Sequence, residues 1–574
     1  MNLRAILWLL IPVLSACGGE APPAAPAAST PAALAAHSAE FKREVIEVTE
    51  GVYVAVGYGI ANSIMLEGGD GVVIVDVMET LESAQAVAAD FRKITDKPVK
   101  AFVYTHSHPD HIGGAPAYLI AGQETPPVYA QADVARNMDK ISSVLQPIIT
   151  QRGFRMYGTH LPHEEMVNVG IGPELGVHEG STLRILRPTK TFEDELEDTV
   201  AGIHFKLVHA PGETEDQLFV WLPETKTLLP GDNFYKAFPN LYTIRGTSYR
   251  DPKVWADSLD KMRALRPAFL VPSHTRPLAG VEFIYDTLTD YRDAIRYVYD
   301  QSIRLTNQGL MPEEIAARMK LPPHLAQSPF LQEFYGKPTW SARTVFQGNL
   351  GWYSGNPSEL QPLPPAEQAR RMAELAGGEA ALTDRIVQAE RDGEHQWALQ
   401  LSDYVLRLNP GNEQVKHARL AALQALGEAE ANPNARHYYL MSMRELRGEF
   451  ELPERALTPQ PEMLADMPLS VFFDGLAVNL DAEASADTIV SVGFEFTDSP
   501  ERYTYIVRRG ASEVVNELQP DADIQVRVSA QVFKEMLARL RSPALTIARD
   551  FDVVKGGKLD FARFMKLFVP EAEN

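Results

Sequence analysis

The chain has 574 residues, a formal net charge of -22 at pH 7, one cysteine, and 45% hydrophobic residues. This length exceeds what one hydrophobic core organises, so we expect several domains. The acidic balance argues against a nucleic-acid partner, because a phosphate backbone requires a basic surface, and the single cysteine excludes an internal disulfide.

The first residues predict export from the cytoplasm. One early charge is followed by an apolar run over 5–14 that is too short to span a membrane, and we interpret 1–16 as a signal peptide. The string L-S-A-C at 14–17 resembles a bacterial lipobox, so Cys17 is the expected lipidation site. We therefore expect a cell-envelope protein, either an outer-membrane lipoprotein facing the periplasm or, if an ordinary signal peptide is cut here, a soluble periplasmic product.

The next segment, 17–40, is rich in Ala and Pro and predicts an extended linker.

A first domain is expected over 41–282. Asp76 ends one of its strands, where it either orients a histidine of the site described next or caps a turn. The predicted elements that open this domain are strands within 45–56, 62–66, 72–75 and 99–104, and a helix over 82–94.

The string T-H-S-H-P-D-H-I-G-G at 105–114 directly follows an apolar strand. His106 and His108 are two residues apart, so at a strand end both point to one side and can bind one metal ion. Asp110 and His111 lie one turn further on and can reach a second ion. Neutral imidazole and carboxylate are ligands that suit zinc, and the spacing predicts a zinc site here.

The H-x-H-x-D-H string resembles the signature of the metallo-β-lactamase fold superfamily. The resemblance implies an α/β fold, an αββα sandwich, with two Zn²⁺ per chain. In most of that superfamily the turn after His209 supplies a third histidine, and here Glu213 stands in its place, with Glu215 as the alternative. The implied ligands are His106, His108 and Glu213 for one ion, Asp110, His111 and His274 for the other, and Asp232 shared between them.

With glutamate at this position the chain resembles the type III alkyl/aryl-sulfatases, whereas related lactonases and zinc β-lactamases have histidine there. Further matching strings are N-L-Y-T-I-R-G at 240–246, Y-G at 335–336 and G-W-Y-S-G at 351–355. The resemblance implies a hydrolase of alkyl or aryl sulfate esters that releases sulfate and an alcohol, with a metal-bridging hydroxide as nucleophile. The alternatives are another hydrolase of this fold, acting on a phosphate ester, lactone or β-lactam, and a lipid-carrier or scaffold lipoprotein with a vestigial site.

Charge develops on the departing sulfate, so donors should surround it. We expect Arg245, with Asn240 and Thr243 beside it, to supply a fork of donors, unless Arg245 pairs with a loop carboxylate. Asp110 completes the predicted catalytic set, and Arg250 is a second candidate cation. The segment 234–239 contains no histidine, so the general acid stays unassigned. The bond that is cleaved and the substrate's chain length or aryl group also stay open.

The remaining chain predicts two further domains. By resemblance, 283–450 is a helical dimerisation domain, which implies a homodimer, although a helical cap within one chain is the alternative. A linker over 451–462 leads to an α+β domain over 463–574 that resembles sterol-carrier-protein-2 (SCP2-like) domains. It is expected either to hold an apolar tunnel for the substrate's tail or to be a plain packing module. The predicted helices after the catalytic domain are 283–308, 367–376, 379–391, 394–408 and 412–426.

Overall fold

The structure is a computed structural model, and it describes residues 30–178, 180–453 and 461–568. The predicted signal peptide and Cys17 lie outside the described residues. Among the described helices, none combines the length and the apolar character that crossing a membrane requires.

The predicted extended linker is wrong for its last part. Helix α1 (Ala32–His37) and a 3-10 turn (Ser38–Phe41) pack onto the protein. Leu34, His37 and Phe41 are buried. The His37 ring stacks on Phe334 at a centroid distance of 4.1 Å. Burial of these side chains outweighs the flexibility that the Ala- and Pro-rich composition suggests.

The first sheet has seven strands in chain order, antiparallel from the first to the fourth and parallel from there onward. Its strands are β1 (Glu44–Thr49), β2 (Val52–Val56), β3 (Ser63–Glu67), β4 (Val72–Val75), β5 (Val99–Val103), β6 (Val128–Gln131) and β7 (Lys190–Phe192). The second sheet has six strands that also lie side by side in chain order, so the first strand is at one edge and the last is at the other. They are β8 (Glu195–Val200), β9 (Ile203–His209), β10 (Leu218–Leu222), β11 (Thr227–Leu229), β12 (Phe269–Leu270) and β13 (Leu278–Ala279).

The two sheets pack face to face, and helices cover both outer faces. Strand β4 shows why, because its four residues are all apolar and buried. Val73 and Val75 point into the core between the sheets, whereas Val72 and Ile74 point outward into a core shared with a covering helix. An apolar strand of this kind requires cover on both faces. The predicted αββα sandwich is therefore confirmed.

The segment after β6 forms two helices rather than one. The chain breaks at Val144 and Leu145, and a new helix starts with Pro147 in its first turn. Proline fits that turn because its missing N–H would have no helical partner there. The helices are α2 (Leu81–Phe91), α3 (Pro109–Ile112), α4 (Val134–Ser143), α5 (Gln146–Tyr157), α6 (His163–Met166) and α7 (Pro252–Ala264).

A helical region follows. Its first helix packs on α7 in the core that covers the second sheet. The last helix, which the sequence analysis did not predict, packs against α5. The helices are α8 (Val281–Asn307), α9 (Pro312–Arg318), α10 (Pro323–Ala326), α11 (Pro338–Leu350), α12 (Pro365–Ala376), α13 (Glu379–Arg391), α14 (His395–Leu408), α15 (Glu413–Ala429) and α16 (Pro433–Leu446).

The C-terminal unit is a five-stranded sheet with helices packed on it, strand order β16-β15-β14-β17-β18. The rings of Phe473, Phe494, Phe533 and Phe561 meet in its interior. With the other residues of this cluster they form an apolar core between the described sheet and helices. The elements are α17 (Pro461–Asp466), α18 (Leu469–Val478), β14 (Ile489–Phe496), β15 (Arg502–Arg508), β16 (Ala511–Val515), β17 (Ile524–Val528), α19 (Ala530–Leu537), α20 (Pro543–Asp550), β18 (Asp552–Lys555) and α21 (Lys558–Lys566). The predicted domain boundaries at 283, 451 and 463 stay predictions.

Candidate metal centre and active site

The candidate ligands converge because they follow strands that end at one edge of the sandwich. His106 comes after β5, Glu213 lies between β9 and β10, Asp232 stands in the 3-10 turn Gly231–Asn233 after β11, and His274 comes after β12. Strands β4 and β5 run parallel, as do β11 and β12, so their carboxyl ends meet at the same place. Residues distant in sequence therefore share one buried cluster.

All seven sequence-predicted ligands lie in this cluster. Asp232 Oδ2 is 3.0 Å from His274 Nε2, 3.5 Å from His111 Nε2 and 3.7 Å from His106 Nε2. Asp110 Oδ2 is 3.3 Å from His111 Nε2. The cluster contains three overlapping sets of residues. The ligand atoms of each set lie within 4.8 Å of one another, and Asp232 belongs to two of the sets. The sets are His106, His111 and Asp232; Asp110, His111 and His274; and His108, Glu213 and Asp232.

The protonation of the cluster suits a bound cation. Burial lowers the pKa of His106 to about 4 and that of His108 well below its usual value, which leaves both imidazoles neutral, the form that binds metals. His111 is different. Burial opposes its charging, but the carboxylates of Asp232 and Asp110 outweigh burial and raise its pKa well above the usual value. The carboxylates of Asp110 and Asp232 therefore favour one positive charge beside them.

Unsatisfied polar atoms indicate that the residues fit a metal. His111 Nε2 and Asp232 Oδ1 are buried and make no hydrogen bond within the described part of the chain. A buried acceptor or donor without a partner is costly, and a metal ion would satisfy both atoms at once. Histidine nitrogens and carboxylate oxygens, with no thiolate among them, form a donor set typical of a hydrolytic zinc centre.

A second layer of hydrogen bonds orients the imidazoles. His111 Nδ1 donates to Asp76 Oδ2 over 2.7 Å, and His274 Nδ1 donates to the Ile60 carbonyl over 2.7 Å. Asp76 also accepts from the Thr105 backbone N–H and hydroxyl, both at 2.9 Å. Such bonds direct each Nε2 toward the cluster. Of the two roles left open for Asp76, the geometry favours orientation of a histidine.

Glu213 and Glu215 differ sharply in burial. Glu213 is 3% exposed, whereas Glu215 is on the surface. Burial raises the pKa of Glu213 to about 7, although Arg250 Nη1, 2.6 Å from Glu213 Oε1, opposes the rise. The Tyr235 hydroxyl donates to Glu213 Oε2 over 3.3 Å. Of the two candidates, Glu213 alone has its carboxylate in the cluster.

The predicted sulfate-binding residues lie beside the ligands. Arg245 Nη2 is 3.2 Å from His108 Nε2. The Arg250 guanidinium is buried and donates to the Asn240 carbonyl over 2.7 Å. Arg250 Nε and Nη2 and both side-chain polar atoms of Asn240 are buried without a hydrogen bond to any described residue. The Thr243 hydroxyl donates to a weak acceptor, Met156 Sδ, over 3.2 Å.

Sequence analysis assigned no role to two tyrosines of this site. The hydroxyls of Tyr157 and Tyr335 are 3.1 Å apart. The Tyr335 carbonyl accepts from the side-chain amides of both Asn432 and Asn434, at the start of α16. The Y-G string was a signal for Tyr335, but the contribution of α16 depends on contacts about a hundred residues apart in sequence, which periodicity does not reveal.

Comparison with known families covers most of the chain. The metallo-beta-lactamase superfamily matches residues 56–274, the alkyl sulfatase dimerisation domain matches 311–449, and the alkyl sulfatase C-terminal domain matches 457–574. A linear primary-alkylsulfatase from Pseudomonas sp. is 37% identical over 524 residues, which are 88% of this chain and 98% of that protein. The alkyl/aryl-sulfatase BDS1 of Saccharomyces cerevisiae is 29% identical over 540 residues, 91% of this chain and 82% of that protein.

Solved structures agree with the sequence matches. The stereoselective inverting sec-alkylsulfatase Pisa1 from Pseudomonas sp. superposes with a TM-score of 0.85 at 27% identity, covering 93% of this chain and 85% of that one. The matches extend through all three units rather than the sandwich alone. The chain therefore belongs to the alkylsulfatase family of the metallo-β-lactamase superfamily and is a sulfuric ester hydrolase.

Proposed function

We propose that the chain hydrolyses alkyl sulfate monoesters at a centre of two zinc ions, releasing inorganic sulfate and an alcohol. The observation that carries this proposal is the pair of arginines beside the candidate ligands. Arg245 lies against His108, and Arg250 lies against Glu213, at the site where a substrate would meet the metals.

The ligands we propose are those predicted from the sequence. His106, His108 and Glu213 would hold one ion, Asp110, His111 and His274 the other, and Asp232 both. Bound zinc lowers the pKa of water to about 7 and so supplies hydroxide, the nucleophile we propose, near neutral pH. The chain's own part is to keep His106 neutral through burial and to fix the ring of His111 through its bond to Asp76.

The proposed anion site consists of donors that lack a partner in the protein. Arg250 Nε and Nη2 and Asn240 Nδ2 are buried and make no hydrogen bond to described residues. Three sulfate oxygens would satisfy them, and Arg245 would add a second positive charge. Charge-assisted donors fixed in advance stabilise the negative charge that grows on the leaving sulfate. A lactone or a β-lactam has no departing sulfate on which such charge would grow.

We further propose linear primary alkyl sulfates as the substrate class, since the relative that shares 37% identity over nearly its whole length is named a linear primary-alkylsulfatase. The test is release of inorganic sulfate from dodecyl sulfate, compared with nitrophenyl sulfate, a secondary alkyl sulfate, nitrophenyl phosphate, nitrocefin and a lactone. We expect the highest kcat/KM on dodecyl sulfate. A higher kcat/KM on the phosphate ester, the lactone or nitrocefin would contradict the proposal.

We also propose a homodimer formed through the region that matches the alkyl sulfatase dimerisation domain. Several large apolar side chains in or beside that region are exposed in the single chain, among them Trp352 at 67% and Leu375 at 81%. A dimer would cover part of this surface. Sedimentation of the purified protein should give twice the chain mass at micromolar concentration, and a monomer would contradict the proposal.

For localisation we propose a lipid anchor on Cys17 in the cell envelope. The support is the L-S-A-C string and the position of the only cysteine. Cys17→Ser should move the protein from the membrane fraction to the soluble fraction of cells. A wild-type protein that is already soluble would favour the ordinary signal peptide.

A further inference from the structure

A buried carboxylate outside the ligand set ties three loops together next to the metal centre. Glu79 is 1% exposed and follows strand β4. Its Oε1 atom accepts from the Ile60 backbone N–H at 3.2 Å and from the Gly176 backbone N–H at 3.1 Å. Its Oε2 atom is buried and makes no hydrogen bond within the described residues.

The loops approach this carboxylate as closely as their backbones allow. A Cβ added at Gly59 would lie 2.2 Å from Glu79 Oε1, and one added at Gly176 would lie 2.5 Å from it. A further Cβ at Gly172 would lie 2.5 Å from the Ile60 carbonyl oxygen. Glycine at these places is what permits the contact, so the Ile60 peptide is confined between Glu79 and the 172–176 loop.

The backbone of Ile60 connects the Glu79 carboxylate to a candidate ligand. Its N–H donates to Glu79, and its carbonyl accepts from His274 Nδ1 over 2.7 Å. Asn62, two residues further along the chain, extends the connection, because its N–H donates to the Ser273 carbonyl over 2.7 Å. The segment that receives the His274 bond is thus held on one side by the 272–275 loop and on the other by Glu79.

We infer that Glu79 is a positioning residue of the metal centre: by fixing the backbone of Ile60, it holds His274 with Nδ1 protonated and Nε2 directed at the metals. This inference rests on the proposed function, because it takes His274 as a ligand. Burial raises the pKa of Glu79 to about 7, and a neutral acid still offers an accepting oxygen. The role therefore depends on the hydrogen bonds that Glu79 accepts and not on its charge.

The test measures metal binding rather than turnover. The full-length protein is stripped with a chelator, and zinc affinity is determined by competition with a chromophoric chelator, with the Co²⁺ absorption spectrum as a second readout. The second zinc is the ion that Asp110, His111 and His274 would hold. Glu79→Ala should weaken the binding of this ion by about 10- to 100-fold and alter the Co²⁺ spectrum. Glu79→Gln, which keeps an oxygen for both N–H groups, should stay within about threefold of wild type.

A matched control is Glu82→Ala, which removes an exposed carboxylate that also accepts a backbone N–H, that of Thr182, at 2.9 Å. It should leave both affinities unchanged. If Glu79→Ala does not fold, Glu79→Asp replaces it, because the shorter side chain withdraws the acceptor from Ile60. Unchanged second-site affinity and spectrum in the folded variant would overturn the inference, as would a loss in Glu79→Gln as large as in Glu79→Ala.

His274→Ala separates the two possible failures. It should lose the second zinc if His274 is a ligand. If His274→Ala loses that ion and Glu79→Ala does not, the inference about Glu79 fails while the ligand assignment stands. If His274→Ala binds both ions as wild type does, the ligand assignment itself fails, and the role of Glu79 falls with it.

Discussion

Asp76 accepts a hydrogen bond from Nδ1 of His111 over 2.7 Å, and both side chains are fully buried. Ser273, the residue before another candidate ligand, donates to the same Asp76 oxygen over 2.7 Å. One carboxylate therefore fixes the ring of a candidate ligand on α3 and the loop that carries His274. The bond also sets the tautomer of His111, since a proton on Nδ1 leaves Nε2 free to bind metal.

We predict that Asp76→Asn weakens zinc binding by about 10- to 100-fold, because an amide N–H facing His111 Nδ1 can replace the acceptor with a donor. Zinc competition on the purified variant measures the change. Asp198→Asn, at a partly exposed ion pair with Lys190, is the control and should bind zinc as wild type does. Wild-type affinity in Asp76→Asn would contradict the role of Asp76.

Arg250→Met should lower kcat/KM for dodecyl sulfate by about 10²- to 10³-fold, because it removes buried donors from the proposed sulfate site and leaves Glu213 without its ion-pair partner. Arg250→Lys keeps the charge but loses the planar fork, so it should recover only part of the activity. Arg266→Lys, in an exposed ion pair with Glu282, is the control and should be unchanged. Full activity in Arg250→Met would exclude Arg250 from sulfate binding.

Arg245→Ala should raise the barrier for sulfate ester cleavage by about 2 to 4 kcal/mol if this arginine stabilises the transition state. The same change should weaken inhibition by free sulfate, since product and transition state share the anion. Steady-state kinetics with added sulfate measure both effects. If kcat/KM and the inhibition constant both match wild type, Arg245 has no part in holding the anion.

That the seven candidate ligands converge was predictable from the sequence, because they follow apolar strands and the strand ends of this fold meet at one edge. It could not choose between Glu213 and Glu215, because only the turn's three-dimensional path buries one and exposes the other. The docking of α1 had a weak signal in Leu34 and Phe41, two bulky apolar residues beside an Ala-rich segment. The break before Pro147 was readable from the proline itself.

The support given by α16 was beyond sequence reasoning. His437, on that helix, is fully buried, with Nε2 2.7 Å from the Met166 carbonyl and Nδ1 3.1 Å from the Met156 carbonyl. No local pattern indicates that a histidine of the helical region contacts loops of the catalytic unit. Such long-range polar contacts depend on how whole elements pack, which propensity and periodicity leave open.

We predict that His437 makes the stability of the fold depend on pH. Burial lowers its pKa to about 4, below the usual 6.5, so between these values the unfolded chain binds more protons than the folded one. Stability is therefore full above pH 6.5 and falls as the pH drops toward 4, by about 2 kcal/mol between pH 7 and 5 from this residue. His437→Gln does not titrate, and urea unfolding of metal-free protein should show a correspondingly smaller loss. Equal losses in wild type and variant would contradict this assignment.

The most direct test of the central claim is a zinc titration of the metal-free, full-length protein with sulfate release from dodecyl sulfate followed in parallel. The account predicts that about two zinc ions bind per chain and that sulfate release returns only as these sites fill. Activity in the metal-free protein, or saturation of both signals at one ion or fewer per chain, would contradict a binuclear sulfatase built on Asp232 and its neighbouring ligands.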